Sequence, residues 1–335
     1  MQSKKFSVFK KVFLSSLLLV CVLLAGTAYF HFTSQQNDLN FIELCKDGSL
    51  SQIIDTIKKG ANINVRDKNE VTPLTAAAAL NPNPEVITAL VEAGADVNFN
   101  ANRGVTPLMW AVRHNSNPEV TRTLLKAGAD VNVRYINEFT PLMWAAIYNP
   151  NPEVISILAS AGADINAKDN EEGAVSLMWA MTSNPNPDVL TALINAGADI
   201  NAKDVRGGTS LMWGIVYKSS IEAITVLIKA GADINAKDNS GISPLAWAAY
   251  ESSNPEVLSA LINAGADINA KDINGVTTLI RATRNPNSEM ITTLLKYGAD
   301  PKTKDNFGKM AIDYARENEK LINTETLKKL EEVSY

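Results

Sequence analysis

The sequence predicts an all-α repeat solenoid, in which antiparallel helix pairs joined by β-hairpin-like turns stack on one another behind an N-terminal transmembrane or signal helix. Three observations predict it. A Gly-Ala-Asp/Asn-x-Asn string recurs at Gly60, Gly94, Gly128, Gly162, Gly197, Gly231 and Gly265, with a degenerate copy at Gly298, so the period is 34 residues apart from one interval of 35 and one of 33. A leucine in a Thr-Pro-Leu setting or a variant of it keeps step, at Leu74, Leu108, Leu142, Leu177, Leu211, Leu245 and Leu279. Ahead of these repeats, Val12 to Phe32 contains no charged residue. A fixed period of this size marks supersecondary units that cannot bury their apolar faces alone and must stack.

One unit shows why the pattern reads as two helices. Thr106-Pro107 is a helix start: the threonine hydroxyl can cap free N–H groups, and proline fits the first helical position. Leu108-Met109-Trp110-Ala111 supplies the packing surface. Asn117-Pro118-Glu119 starts the second helix in the same way, with an acid at the positive end of its dipole. Val120, Leu124 and Leu125 form its apolar stripe, and Gly128 ends it in the left-handed conformation that glycine tolerates. Leu39 to Asn64 lacks the Thr-Pro-Leu start. Gly308-Lys309-Met310-Ala311-Ile312 replaces the internal pattern before a charged last helix carrying Lys328, Lys329, Glu331 and Glu332. Both ends therefore read as caps with polar outer faces, and the landmarks predict nine helix pairs. The domain boundaries expected are 1–11 for a basic segment, 12–32 for the apolar segment, 33–66 for an N-terminal capping repeat, 67–302 for the internal repeats and 303–335 for a C-terminal capping repeat.

The apolar segment follows Lys10-Lys11 and runs for 21 residues, Val12–Phe32, against the roughly 20 that span a bilayer. Tyr29, Phe30 and Phe32 suit its far interface, and Lys4, Lys5, Lys10 and Lys11 predict the N-terminus inside and the repeats outside. The competing reading is a cleaved signal peptide with an apolar core over Leu14–Ala25 and cleavage after Ala28. Either way the repeats are expected to be extracytoplasmic, anchored by a single pass or released.

Composition excludes several function classes. The chain has 335 residues, 46% of them apolar, and a formal charge of −5; residues 1–32 contribute +4 of that, leaving −9 on residues 33–335. Nucleic-acid binding needs a basic stripe, so no nucleic-acid partner is expected. Cys21 and Cys45 build neither a disulfide framework nor a zinc pattern. The two histidines, His31 and His114, join no metal-ligand spacing, and no phosphate-cradling or nucleophile motif occurs. The expectation is no catalytic residue, no metal, no cofactor and no enzyme activity. Asp130, Asp164, Asp199, Asp233 and Asp267 read as turn residues and the Asn-Pro-Asn-Pro strings as helix punctuation. Trp110, Trp144, Trp179, Trp213 and Trp247 recur in register beside Met and Ala and read as core.

Thr72-Pro73-Leu74, Thr106-Pro107-Leu108, Thr140-Pro141-Leu142 and Ser243-Pro244-Leu245, together with the Gly-Ala-Asp-x-Asn set and the turns Asp238-Asn239-Ser240-Gly241 and Asp272-Ile273-Asn274-Gly275, resemble the ankyrin repeat family over about residues 39–335. The extra residue relative to a typical repeat falls between the helices, at Asn81-Pro82-Asn83-Pro84 and its copies. Where the family often places an inter-repeat histidine after Thr-Pro-Leu, this chain has Met109, Met143, Met178 and Met212, so cohesion between repeats is expected to rest more on apolar packing. Val175-Ser176, Gly208-Thr209-Ser210 and the inserted residue at Glu171-Glu172 mark expected irregularities.

The resemblance implies a protein partner on the concave side, formed by turn tips and first helices. The positions matching that side include Arg103, Arg113, His114, Tyr135, Phe139, Tyr148, Tyr217, Tyr250 and Arg284, a set rich in the Tyr and Arg that anchor interfaces. Phe139, an apolar ring at a turn tip, stands out among them. The leading expectation is a monomeric scaffold or adaptor displayed on the outer side of a membrane, touching the bilayer only through residues 12–32. A dedicated envelope chaperone or immunity-type protein masking one secreted enzyme or toxin is the alternative, and an enzyme is the third. Co-purification separates the first two: many weak partners for a scaffold, one stoichiometric partner for masking.

Overall fold

A computed structural model describes residues 37–100, 104–184 and 186–335. The basic segment 1–11, the apolar segment 12–32 with its possible cleavage point, the start of the N-terminal cap and Arg103 lie outside the described residues. Among the described residues, no helix is long and apolar enough to cross a membrane.

The described chain forms nine helix pairs. The N-terminal pair is α1 (37–47) and α2 (Leu50–Lys58). There follow α3 (Pro73–Leu80) with α4 (Pro84–Glu92), α5 (Pro107–His114) with α6 (Pro118–Lys126), and α7 (Pro141–Tyr148) with α8 (Pro152–Ser160). Next come α9 (Ser176–Ser183) with α10 (Pro187–Asn195), α11 (Ser210–Val216) with α12 (Ile221–Lys229), and α13 (Pro244–Glu251) with α14 (Pro255–Asn263). The last pairs are α15 (Thr278–Ala282) with α16 (Glu289–Lys296), and α17 (Ala311–Glu317) with α18 (Glu325–Ser334). First helices touch the first helices of neighbouring pairs and second helices touch second helices, giving two layers. Leu108, Leu142, Leu177, Val120, Ile155 and their counterparts meet between the layers in a continuous buried core.

Local chemistry sets the helix starts. Thr106 Oγ1 accepts from the Met109 N–H ahead of Pro107, and Asn117 Oδ1 accepts from the Glu119 N–H ahead of Pro118. Where Thr-Pro is eroded, the cap bond is lost: Val175 before α9 and Thr209 before α11 make no side-chain cap. At the corresponding proline positions the hydroxyls of Ser176, Ser210 and Thr278 are buried without a hydrogen-bond partner. Val175 and Thr209 are extended (ψ 166° and 165°), the conformation that a following proline requires. Ser176→Pro and Ser210→Pro should therefore each raise stability by about 1 kcal/mol, by removing a desolvated hydroxyl and stiffening the unfolded chain. A urea titration showing a lower midpoint for either variant would contradict this.

The turns close as short hairpin-like loops. No strand forms among the described residues, where an isolated bridge pairs Lys271 with Thr277. An aspartate holds each typical turn instead: Asp238 N donates to Ile242 O (3.2 Å), while Asp238 Oδ1 accepts from the N–H groups of Ser240 (2.8 Å) and Ile242 (2.9 Å). The residue inserted at Glu171-Glu172 is absorbed by Asp169, whose N–H reaches Ala174 O while its carboxylate accepts from Glu171, Glu172 and Ala174. Successive tips are joined by single backbone bonds, Val205 N to Glu172 O, Asn239 N to Arg206 O and Ile273 N to Ser240 O.

The expectation that apolar packing takes over from the missing histidines needs correction. Met109, Met143, Met178 and Met212 are buried as expected. The polar ties are also present, but asparagines make them. Asn115 Nδ2 donates to Ala78 O (3.0 Å) and Asn81 O (2.8 Å) of the preceding unit, and its Oδ1 accepts from Asn117 N (3.0 Å). Asn81, Asn149, Asn184 and Asn285 act alike, so the first Asn of each Asn-Pro-Asn-Pro-type string is an inter-repeat tie as well as punctuation. A second, exposed ladder uses the last residue of Gly-Ala-Asp-x-Asn: Asn98 donates to Gly128 O (2.9 Å) and accepts from Asp130 N (2.8 Å). Where Asn-Pro-Asn-Pro is missing after α11, Ser219 Oγ bonds Met181 O in its place. Cys45 is buried inside the first pair, where burial pushes its thiol up to about 12, and it packs in the core.

Candidate functional site

The turn tips and the exposed ends of the first helices lie on one side of the stack. Two positions of each first helix build that side, the second and the sixth after the landmark leucine. The second holds the tryptophans. Trp144 and Trp213 are buried (7% exposed each), while Trp110, Trp179 and Trp247 are half-buried, so the core assignment holds fully for two of the five. Their indoles do more than pack. Trp179 Nε1 donates to Asp169 (2.9 Å), Trp213 to Asp204 (2.7 Å) and Trp247 to Asp238 (3.0 Å), clamping each first helix to its own turn. In the next unit Arg281 takes this place and binds Asp272, and in the last Tyr314 binds Asp305 (2.6 Å). Hydrogen bonds hold the Asp305 carboxyl below its usual range although burial opposes them.

The sixth position carries the ridge. Tyr148 is 45% exposed and Tyr217 53%, and both follow this register, as do His114 and Leu80. Tyr250 (38% exposed) and Arg284 stand one residue earlier in their helices. The expected residues fall into three groups. Arg113, His114, Tyr148 and Tyr135 gather around Trp110 and Trp144: the Arg113 guanidinium lies 4.3 Å from the Tyr148 ring centre and 5.1 Å from that of Trp144, Tyr135 meets Trp144 edge-on at 5.4 Å, and His114 stacks on Trp110 at 5.2 Å. Burial, followed by the neighbouring Arg113 charge, lowers the His114 pKa below its ordinary value. Tyr217 packs on Trp213 (5.4 Å), and Arg284 lies over the Tyr314 ring (5.3 Å).

Phe139 forms the third group. Its ring is half-buried against Trp179 (4.8 Å) of the following unit, and its carbonyl closes the turn by accepting from Tyr135 N (2.8 Å). It is part of the scaffold under the ridge, and Tyr135 shares that role through Trp144. Exposed apolar residues that sequence reasoning passed over are Leu80 on the ridge and Val205, Ile273 and Phe307 on the tips. Registering the repeats against one another exposes them, because other units place polar residues there.

Between the tips and ridge of α11 and α13 lies a hollow of about 500 Å³, with Trp213, Tyr217 and Trp247 on the helix side and Asp204, Asp238 and Arg206 on the turn side. Among the described residues, no group of His, Cys, Asp and Glu could hold a metal ion.

A two-layer stack of helix pairs with variable side chains on one face defines a class, the helical repeat solenoids that act as protein-interaction scaffolds. The family model described as ankyrin repeats (three copies) matches residues 41–135, 134–204 and 211–305. The chain belongs to the ankyrin repeat family, as its Thr-Pro-Leu and Gly-Ala-Asp strings imply. No curated protein matches it.

Proposed function

We propose that this protein is an interaction scaffold displayed on the outer side of a membrane by residues 12–32, and that it captures its protein partner along the side formed by turn tips and first helices, the concave side in this family. One observation carries the reading: Tyr148, Tyr217 and Tyr250 stand exposed on that side, while the tryptophans beside them are buried or half-buried. Large amphipathic rings that are rigidly backed and left open give contact area at little entropic cost, which is what binding surfaces require. Replacing the three tyrosines together with alanine truncates surface rings and leaves the core between the layers intact, so the helical signal should be kept, with some loss of urea midpoint, while co-purification of the partner is lost. Undiminished capture by a folded triple variant would refute the proposed face. Membrane display has its own test: the mature protein should keep its N-terminus and fractionate with membranes, whereas a mature chain starting at Tyr29 would establish cleavage and release.

A further inference from the structure

We infer that the hollow between α11 and α13 receives the side chain of an arginine presented by the partner. The inference rests on the reading of this face as the binding surface and adds the chemistry of its central contact. The turn side of the hollow is acidic: Glu172, Asp204 and Asp238 line it against one cation, Arg206, which is itself paired with Glu172 (3.3 Å). Its helix side is aromatic, with Trp213, Tyr217 and Trp247. Carboxylates facing aromatic rings across a water-accessible hollow select a planar, delocalised cation, because guanidinium bonds to carboxylate in its plane and stacks through its faces.

The neighbouring units supply the precedent, because there the chain fills these places with its own arginines. One unit onward, Arg281 occupies the tryptophan position and binds the turn aspartate Asp272, whose side chain is 3% exposed. Two units back, Arg113 covers the rings of Trp144 and Tyr148, which are the counterparts of Trp213 and Tyr217. Near the C-terminus, Arg284 covers the ring of Tyr314 in the same relation. The residues that stand where Arg113 stands but ahead of Trp213 and Trp247 are Thr182 and Val216. Neither carries charge or reaches far. Asp204 and Asp238 accept from neutral N–H donors, the indoles and the turn backbone. Ahead of Trp213 and Trp247, as ahead of Trp110 and Trp179 where Ala79 and Ile147 stand, no arginine reaches the ring from the preceding first helix, and in the hollow that uncovered aromatic side faces carboxylates.

The test uses the full-length chain labelled with 5-fluorotryptophan, whose five tryptophans give five assignable fluorine resonances. The probes are acetyl-Gly-Arg-Gly-amide and its citrulline counterpart, which keeps the shape and removes the charge. The arginine peptide should shift the Trp213 and Trp247 resonances saturably and leave Trp110 in place, and citrulline should bind about tenfold more weakly or worse. Thr182→Arg, which copies the placement of Arg113, should fill the hollow from within and abolish the shifts without altering any lining residue; Asp238→Asn should weaken them about tenfold. Equal response to the two peptides, or no saturable shift at Trp213 and Trp247, would overturn the inference with wild-type protein alone, and unchanged binding by folded Thr182→Arg would overturn it too. Arginine selectivity that persists while the tyrosine triple variant still captures the partner would overturn the broader face and leave the hollow standing. Loss of capture by that variant without arginine selectivity would overturn the hollow alone.

Discussion

Asn115→Ala is expected to destabilise the stack by roughly 2–4 kcal/mol, several times the effect of a typical exposed substitution. Asn115 is 4% exposed, and its amide satisfies two carbonyls of the preceding unit and one N–H of its own turn. Alanine makes none of those bonds, and at so buried a position the orphaned carbonyls and N–H keep most of their desolvation cost. Asn98→Ala is the internal contrast. It removes two bonds of similar length, but at an exposed site where water substitutes, and should cost less than about 1 kcal/mol. Stability in a repeat stack is a sum of unit and interface terms, so the loss should concentrate at the interface between α3–α4 and α5–α6. Amide exchange should accelerate there first. Equal urea midpoints for the two variants would refute the account of inter-repeat cohesion.

Trp213→Ala should cost about 3–5 kcal/mol and disable the binding face with it. The indole fills space against Trp179 (5.3 Å, edge-on) and Tyr217 (5.4 Å), and its N–H is the donor that ties α11 to the Asp204 turn. Trp213→Phe separates these roles. It keeps most of the buried ring and drops the donor to a carboxylate, so about 1–2 kcal/mol should be lost. The site is sensitive because α11 is already short of support, with an uncapped start at Thr209 and a buried unpartnered hydroxyl at Ser210. Guanidine unfolding of Trp213→Ala, Trp213→Phe and the Ser210→Pro background reads these contributions separately. A phenylalanine variant as damaged as the alanine one would show that the Asp204 bond outweighs packing.

The repeat landmarks made the helix pairs legible because proline, glycine and capping asparagine act locally, and each needs only its sequence neighbours to be read. Thr106-Pro107 and Asn117-Pro118 start helices for reasons visible within four residues. What lay beyond local reading were contacts spanning a whole repeat. Asn115 reaches Ala78, 37 residues back, and nothing in Asn-Pro-Asn-Pro distinguishes a cap from a tie. Phe139 shows the same limit in the site. Its tip position was legible, while the ring it packs against, Trp179, belongs to the next unit. Tyr148 and Tyr217 were legible as ridge residues because their shared register along the first helix sets their direction regardless of neighbours, and Tyr250 lies one residue from it.

Site-directed photocrosslinking in living cells tests the central claim most directly. A photoreactive phenylalanine analogue placed at Tyr148, Tyr217 or Tyr250 should yield one common crosslinked protein, and the same group at Thr191 of α10 or Glu256 of α14, both exposed on second helices, should not. Crosslinks from Thr191 and Glu256 with none from the three tyrosines would contradict recognition along the face of turn tips and first helices.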